Sequence, residues 1–88
     1  DDLHEVVFNW PYTDPNSVIV TGSFDGWSKS HNLTKGPEGF SGSLHIPWQH
    51  SISYKYLVDG RWALDDSKPK RVEPGGYVNN FYIAPCKP

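Results

Sequence analysis

Apolar and polar residues alternate in steps of two along most of this chain, and Gly or Pro interrupts each stretch before a helical period can establish itself. The pattern predicts short β-strands joined by turns. From His4 to Trp10, Val6, Phe8 and Trp10 fall on one face and Glu5, Val7 and Asn9 on the other, until Pro11 ends the run. Turn residues Thr13 to Asn16 lead into Ser17 to Thr21, whose β-branched density predicts a central strand broken by Gly22. A short strand is expected near Asn32 to Thr34. Gly36-Pro37-Glu38-Gly39 then predicts a hairpin into Phe40 to Ile46, with Phe40, Leu44 and Ile46 sharing a face with Gly42.

The longest run, Ile52 to Val58, directs Ile52, Tyr54, Tyr56 and Val58 inward and Lys55 and Leu57 outward. Asp59-Gly60 is a strong hairpin signal, returning the chain as Arg61 to Leu64. Residues 65–76 read as an irregular polar loop. Tyr77 to Ile83 closes the chain, with Tyr77, Asn79, Phe81 and Ile83 alternating against Val78, Asn80 and Tyr82. About seven short strands with regularly spaced turns predict an all-β fold, a two-sheet sandwich.

Composition sharpens this picture. The 88 residues form one domain, 1–88, with a single core and little interior for an enclosed pocket. The chain lacks an initial Met and reads as a domain excised from a longer protein. Four Trp, five Tyr and four Phe stand in a chain only 36% apolar, so rings must supply much of the packing, with some to spare. Phe8, Trp10, Tyr54, Tyr56 and Phe81 hold strand positions suited to packing. A formal net charge of −2 argues against a strong polyanion binder. No apolar run reaches the ~18–20 residues of a membrane span, and no leader opens the chain, so the expectation is a soluble domain. The single cysteine, Cys86, forms no internal disulfide and suits a reducing, cytoplasmic setting.

Catalytic constellations are weak. Gly39-Phe40-Ser41-Gly42-Ser43 departs from a nucleophile elbow at its last residue and has no helix after it. His45 and His50 have no third ligand at a recognisable spacing, and the adjacent Asp65 and Asp66 are not set apart across a substrate as glycosidic acid/base pairs are. No catalytic residue, metal or cofactor is implied. Lys68, Lys70 and Arg71 form a small basic patch diluted by Asp65, Asp66 and Glu73, which makes nucleic acid an unfavoured partner. Asn32-Leu33-Thr34 matches a glycosylation sequon, a pattern common by chance.

Aromatic residues beside turns remain. Trp27 follows Asp25-Gly26 and Trp62 follows Asp59-Gly60 by two positions. Either ring alone serves as readily as a lid on the core; two together, with polar donors nearby, make a platform. A pyranose has an apolar face that lies flat on an indole and a rim of hydroxyls that need fixed donors and acceptors, so a sugar fits such a platform.

Val18-Ile19-Val20-Thr21-Gly22-Ser23-Phe24-Asp25-Gly26-Trp27, then Tyr54-Lys55-Tyr56-Leu57-Val58-Asp59-Gly60-Arg61-Trp62, then Val78-Asn79-Asn80 resemble the family 48 carbohydrate-binding modules. Among these the chain is similar to the glycogen-binding modules of AMP-activated protein kinase β subunits and to fungal cruciform-DNA-binding-like proteins. The resemblance spans about residues 6 to 83. It implies an early-set, immunoglobulin-like sandwich that binds α-1,4-glucans such as glycogen or starch without cleaving them, with Trp27 and Trp62 as stacking rings and Lys55 and Asn79 as hydrogen-bonding partners. Without the resemblance, Lys55 reads equally as a solvated lysine and Asn79 as a cap on the sheet edge. Where the kinase subunits carry a leucine that enters a helical glucan and, two positions on, a threonine, this chain has Gly75 and Tyr77. Tyr77 either stacks in the leucine's stead or packs on the sheet. Three functions follow as expectations: a glucan-binding module anchoring a larger regulatory protein, with a kinase or other signalling partner reached through the parent chain; an interaction module with a decayed sugar site; and a binder of structured DNA through Lys68, Lys70 and Arg71.

Overall fold

The computed structural model describes residues 2–88. The strands are β1 (Leu3–Trp10), β2 (Val18–Gly22), β3 (His31–Asn32), β4 (Thr34–Gly36), β5 (Gly39–Pro47), β6 (Ser51–Val58), β7 (Arg61–Ala63), β8 (Lys70–Val72) and β9 (Val78–Ile83), with one 3-10 turn at Ser23–Asp25. They form two antiparallel sheets. The smaller has the order β1-β5-β4; the larger runs β3-β2-β6-β9-β8, with β7 also on β6.

Among the described residues nine strands replace the expected seven or so, for two reasons. The predicted strand at Asn32 to Thr34 is two strands in different sheets: β3 pairs with β2, and β4 pairs with β5. Between them Leu33 buries its side chain in the core, its Cδ2 lying over Gly42, where a Cβ would come within 2.8 Å of it. The second reason is β8, which lies inside the segment expected to be irregular. Its three residues are all exposed, so no alternation announces it. Asn80, fully buried, creates it: its carboxamide accepts from Asp65 N and donates to the carbonyls of Asp65 and Pro69, holding residues 65–69 against β9 so that residues 70–72 pair with it.

The core follows the predicted parity in β1, β5 and β6, and β2, expected from its β-branched density to be central, is buried along nearly its whole length. Val6, Phe8, Val18, Val20, Phe40, Ile46, Ile52, Tyr54 and Tyr56 are buried, with Phe8 meeting Tyr54 edge-on at 5.1 Å between centroids. Parity is inverted in β9. Asn80 is buried and Tyr82 packs against the core, whereas Ile83 is 59% exposed and Phe81 lies half-buried on the outer face under the Arg71 guanidinium. Phe81 is therefore not a core ring as expected. Both sets of alternating β9 residues contain an aromatic, so the pattern has no apolar side to choose.

β6 organises the larger sheet. β2 pairs along one edge from Val18↔Val58 to Gly22↔Tyr54. The other edge is divided: β9 pairs with Ser51 to Tyr54 and β7 with Tyr56 to Val58, so Lys55 stands at the junction. The Asp59-Gly60 turn between β6 and β7 has positive φ at both residues (49° and 81°), as a type I′ hairpin requires. Asp59 Oδ1 also accepts from the N–H groups of Asn16 and Ser17, fastening the entry to β2.

Candidate functional site

Residues paired across an antiparallel ladder share a face. Outward on the larger sheet are thus Ser53, Lys55 and Leu57 of β6, Trp62 opposite Leu57, Phe81 opposite Ser53, and Arg71 opposite Asn79. Two loops rise over this face. They enclose an open cleft of about 730 Å³.

The first loop is built on Asp25. Gly22 sits so close to β6 that a Cβ there would fall 2.0 Å from the Ser53 carbonyl oxygen, and the chain leaves the sheet at this point. Asp25 Oδ1 accepts from the Thr21 hydroxyl (3.0 Å), Gly22 N (3.0 Å) and Trp27 N (3.0 Å), while Thr21 Oγ1 accepts from Lys29 N (3.1 Å). Partial burial alone would raise the Asp25 carboxyl, but the hydrogen bonds from Gly22, Thr21, Trp27 and Ser30 outweigh it and hold the group below the usual carboxylate range. This clasp fixes Gly26, Trp27 and Lys29 in the left-handed region (φ 64°, 61° and 61°), which a tryptophan or lysine rarely adopts unaided. The Trp27 ring is thereby held on the cleft wall, 37% exposed, instead of folding onto the core.

The second loop joins β8 to β9. Glu73 N donates to Tyr77 O and Gly76 N to Glu73 O, closing a turn in which Gly75 and Gly76 take φ of 92° and 85°. Tyr77, expected to begin the last strand, lies outside it, 68% exposed and against the cleft. Glu73 accepts from the Ser53 hydroxyl and from Arg71 Nε (3.2 Å), and Arg71 Nη2 donates to Ser53 Oγ (3.1 Å). The Ser53 hydrogen bond, the largest influence, together with Arg71 by hydrogen bond and charge and with Asn79, outweighs the opposing desolvation and keeps the Glu73 carboxyl below its ordinary range.

Between the loops lies Trp62, 50% exposed, with Lys29 Nζ 5.5 Å and Lys55 Nζ 5.9 Å from its ring centroid. The structure places all five residues singled out from the sequence, Trp27, Lys55, Trp62, Tyr77 and Asn79, along this one cleft. Ser23, Lys29, Ser53, Glu73 and Pro74 also line it and were not singled out. Ser53 was readable as an outward residue two positions before Lys55, and Lys29 as a near neighbour of Trp27; Glu73 and Pro74 lay in the segment without a pattern. The basic patch proves divided. Lys70 pairs with Asp66 (2.9 Å), Arg71 is taken by Glu73 and Phe81, and Lys68 lines a separate recess of about 360 Å³ beside β1.

Chemically, the cleft offers three exposed rings together with donors and acceptors from Lys29, Ser53, Lys55, Glu73 and Asn79. Residues 4–85 match the family described as the glycogen recognition site of AMP-activated protein kinase. The chain is 43% identical over 76 residues to Protein PTST homolog 2, chloroplastic, of Arabidopsis thaliana, covering 84% of this chain and 14% of that protein. It is 35% identical over 83 residues to Cruciform DNA-recognizing protein 1 of Saccharomyces cerevisiae (strain RM11-1a), covering 90% of this chain and 18% of that one. It therefore spans less than a fifth of the length of these curated relatives. With a match running from the first strand to just past the last, over a two-sheet all-β architecture, the chain belongs to the carbohydrate-binding modules of family 48, the family of the kinase's glycogen recognition site.

Proposed function

We propose that this domain is a non-catalytic α-1,4-glucan-binding module that anchors a larger regulatory protein to glycogen, starch or a related polymer. The observation that carries this reading is the convergence of Trp27, Trp62 and Tyr77 on one open cleft with Lys55 and Asn79 between them. The rings receive the apolar faces of successive glucose units, and Lys55 and Asn79 fix hydroxyl groups from the floor. If two indoles together remove about 100 Å² of apolar area from water, the gross gain is about 2.5 kcal/mol at ~25 cal/mol/Å². Ordering of the sugar and desolvation of polar groups oppose it, so one site binds weakly and several sites on one polymer bind tightly. Tyr77, two positions beyond the place where the kinase subunits carry leucine, supplies a ring to the same cleft, which favours a working site over a decayed one. Binding of structured DNA is the lesser reading, because Lys70 and Arg71 are already engaged within the protein.

Titration calorimetry with maltoheptaose on the wild type, Trp27→Ala and Trp62→Ala tests this. Heat from the wild type, and its loss in both variants, is the expected result. Absence of heat from the wild type at millimolar sugar overturns the reading, and equal binding by all three moves the site elsewhere.

A further inference from the structure

We propose that the cleft contains an anion subsite, formed by Lys29 and Lys55 at the Trp62 ring, that takes a phosphate monoester carried on the glucan chain. The inference rests on the α-glucan reading above and adds to it the charge of the preferred ligand. Both ammonium groups lie over a single indole, at 5.5 and 5.9 Å from its centroid. Among the described residues neither has a carboxylate partner within ion-pairing distance. The cleft's own carboxylate, Glu73, is held by Arg71 and the Ser53 hydroxyl, and so does not neutralise them.

Two cations at one ring repel each other, and the backbone that carries each of them is held in place. Lys55 projects from the doubly paired central strand, and the Lys29 backbone is fixed in the left-handed region by the bond from its N–H to Thr21 Oγ1. A neutral glucose hydroxyl needs one such donor. A phosphate monoester, carrying about −1.5 to −2 charges at pH 7 with three acceptor oxygens, satisfies both and removes the repulsion. The chain as a whole carries −2, so this attraction is local to the cleft and not a consequence of net charge.

The test compares maltoheptaose with its mono-phosphate esters, pooled over ester positions, by calorimetry on the folded domain. At low salt the phosphorylated sugar is expected to bind about 5–10-fold more tightly, the scale of two solvent-screened charge contacts. That ratio should fall toward one near 1 M salt, where the screening length is only about 3 Å. Lys29→Gln should reduce the low-salt ratio to roughly two, and Lys29→Arg should retain it. Equal affinity for the two sugars at low salt overturns the subsite and leaves the glucan reading standing; binding of neither sugar overturns the glucan reading itself. Inorganic phosphate, or a short DNA duplex, binding as tightly as the phosphorylated sugar would show an anion site unconnected with glucan and equally overturn the proposal.

Discussion

Replacing Asp25 with alanine removes the acceptor for three donors at once: the fully buried Thr21 hydroxyl, Gly22 N–H and Trp27 N–H. Gly22 N–H and the Thr21 hydroxyl are left without a side-chain partner, while Trp27 N–H keeps a bond to the Gly22 carbonyl at 2.9 Å. At about 1 kcal/mol for each net hydrogen bond, and somewhat more for a charged acceptor, the loss is about 2–3 kcal/mol. For a domain of this size that corresponds to a fall in Tm of roughly 10–20 °C. The same change releases Trp27 and Lys29 from their left-handed backbone, so affinity for maltoheptaose should fall at least as far as in Trp27→Ala even at temperatures where the variant is folded. Thermal melting followed by near-ultraviolet circular dichroism, with calorimetry on the folded fraction, reads both effects. The pH dependence has a fixed sign. Because the folded-state carboxyl lies below its unfolded value of 3.8, the wild-type stabilisation is complete above that pH and disappears as pH falls through the lower folded value. The alanine variant should lack that acid-side slope. A variant that melts within about 3 °C of wild type, or that binds sugar normally, would show that the loop holds its shape without the carboxylate and refute the reasoning.

Asn80→Ala should cost about 3 kcal/mol, from three bonds lost at a buried position, while Asn79→Ala, its neighbour in the cleft, should lower sugar affinity strongly. Gly22→Ala should destabilise by about 2–3 kcal/mol, since its methyl group meets the backbone of β6 and neither strand can yield without breaking the ladder; a urea midpoint equal to wild type would contradict this. Burial, with the nearby Asp65 charge, pushes the Tyr54 phenol up from 10.0 to about 12, and burial pushes Tyr56 up as well. Neutral phenols are thus favoured in the folded state, so their contribution is full below pH 10 and is lost as pH rises toward 12; phenolate absorbance should show these two ionising late, together with unfolding.

Much of the sandwich was legible because one side of β1, β2, β5 and β6 is consistently apolar, and that side is the core. The outward direction of Lys55 follows from the same parity. Where apolar residues occupy both sides, as in β9, alternation could not say which side turns in, and Asn80 decided it through hydrogen bonds that leave no hydrophobic trace. β8 was invisible for a related reason: it is a strand by pairing, not by pattern. In the cleft, Trp27 and Trp62 were legible from their turns, but the place of Tyr77 depends on two positive-φ glycines, and the presence of Lys29 depends on the Asp25 clasp. Such positions are set by a carboxylate's bonds and by backbone conformation next to the rings, and a periodicity carries no record of either.

The divided edge of β6 has a consequence for how such a domain can change. Its central strand is held on both sides and carries Lys55, whereas the rings are mounted on separate pieces: Trp27 on the loop after β2, Trp62 on the three-residue β7, and Tyr77 on the turn before β9. Each piece is fastened differently: the first by the Asp25 clasp, the second by its own short ladder to β6, and the third by the Glu73 turn and its bond to Ser53. Ring spacing can therefore drift one mount at a time, while the strand that bears Lys55 stays as it is.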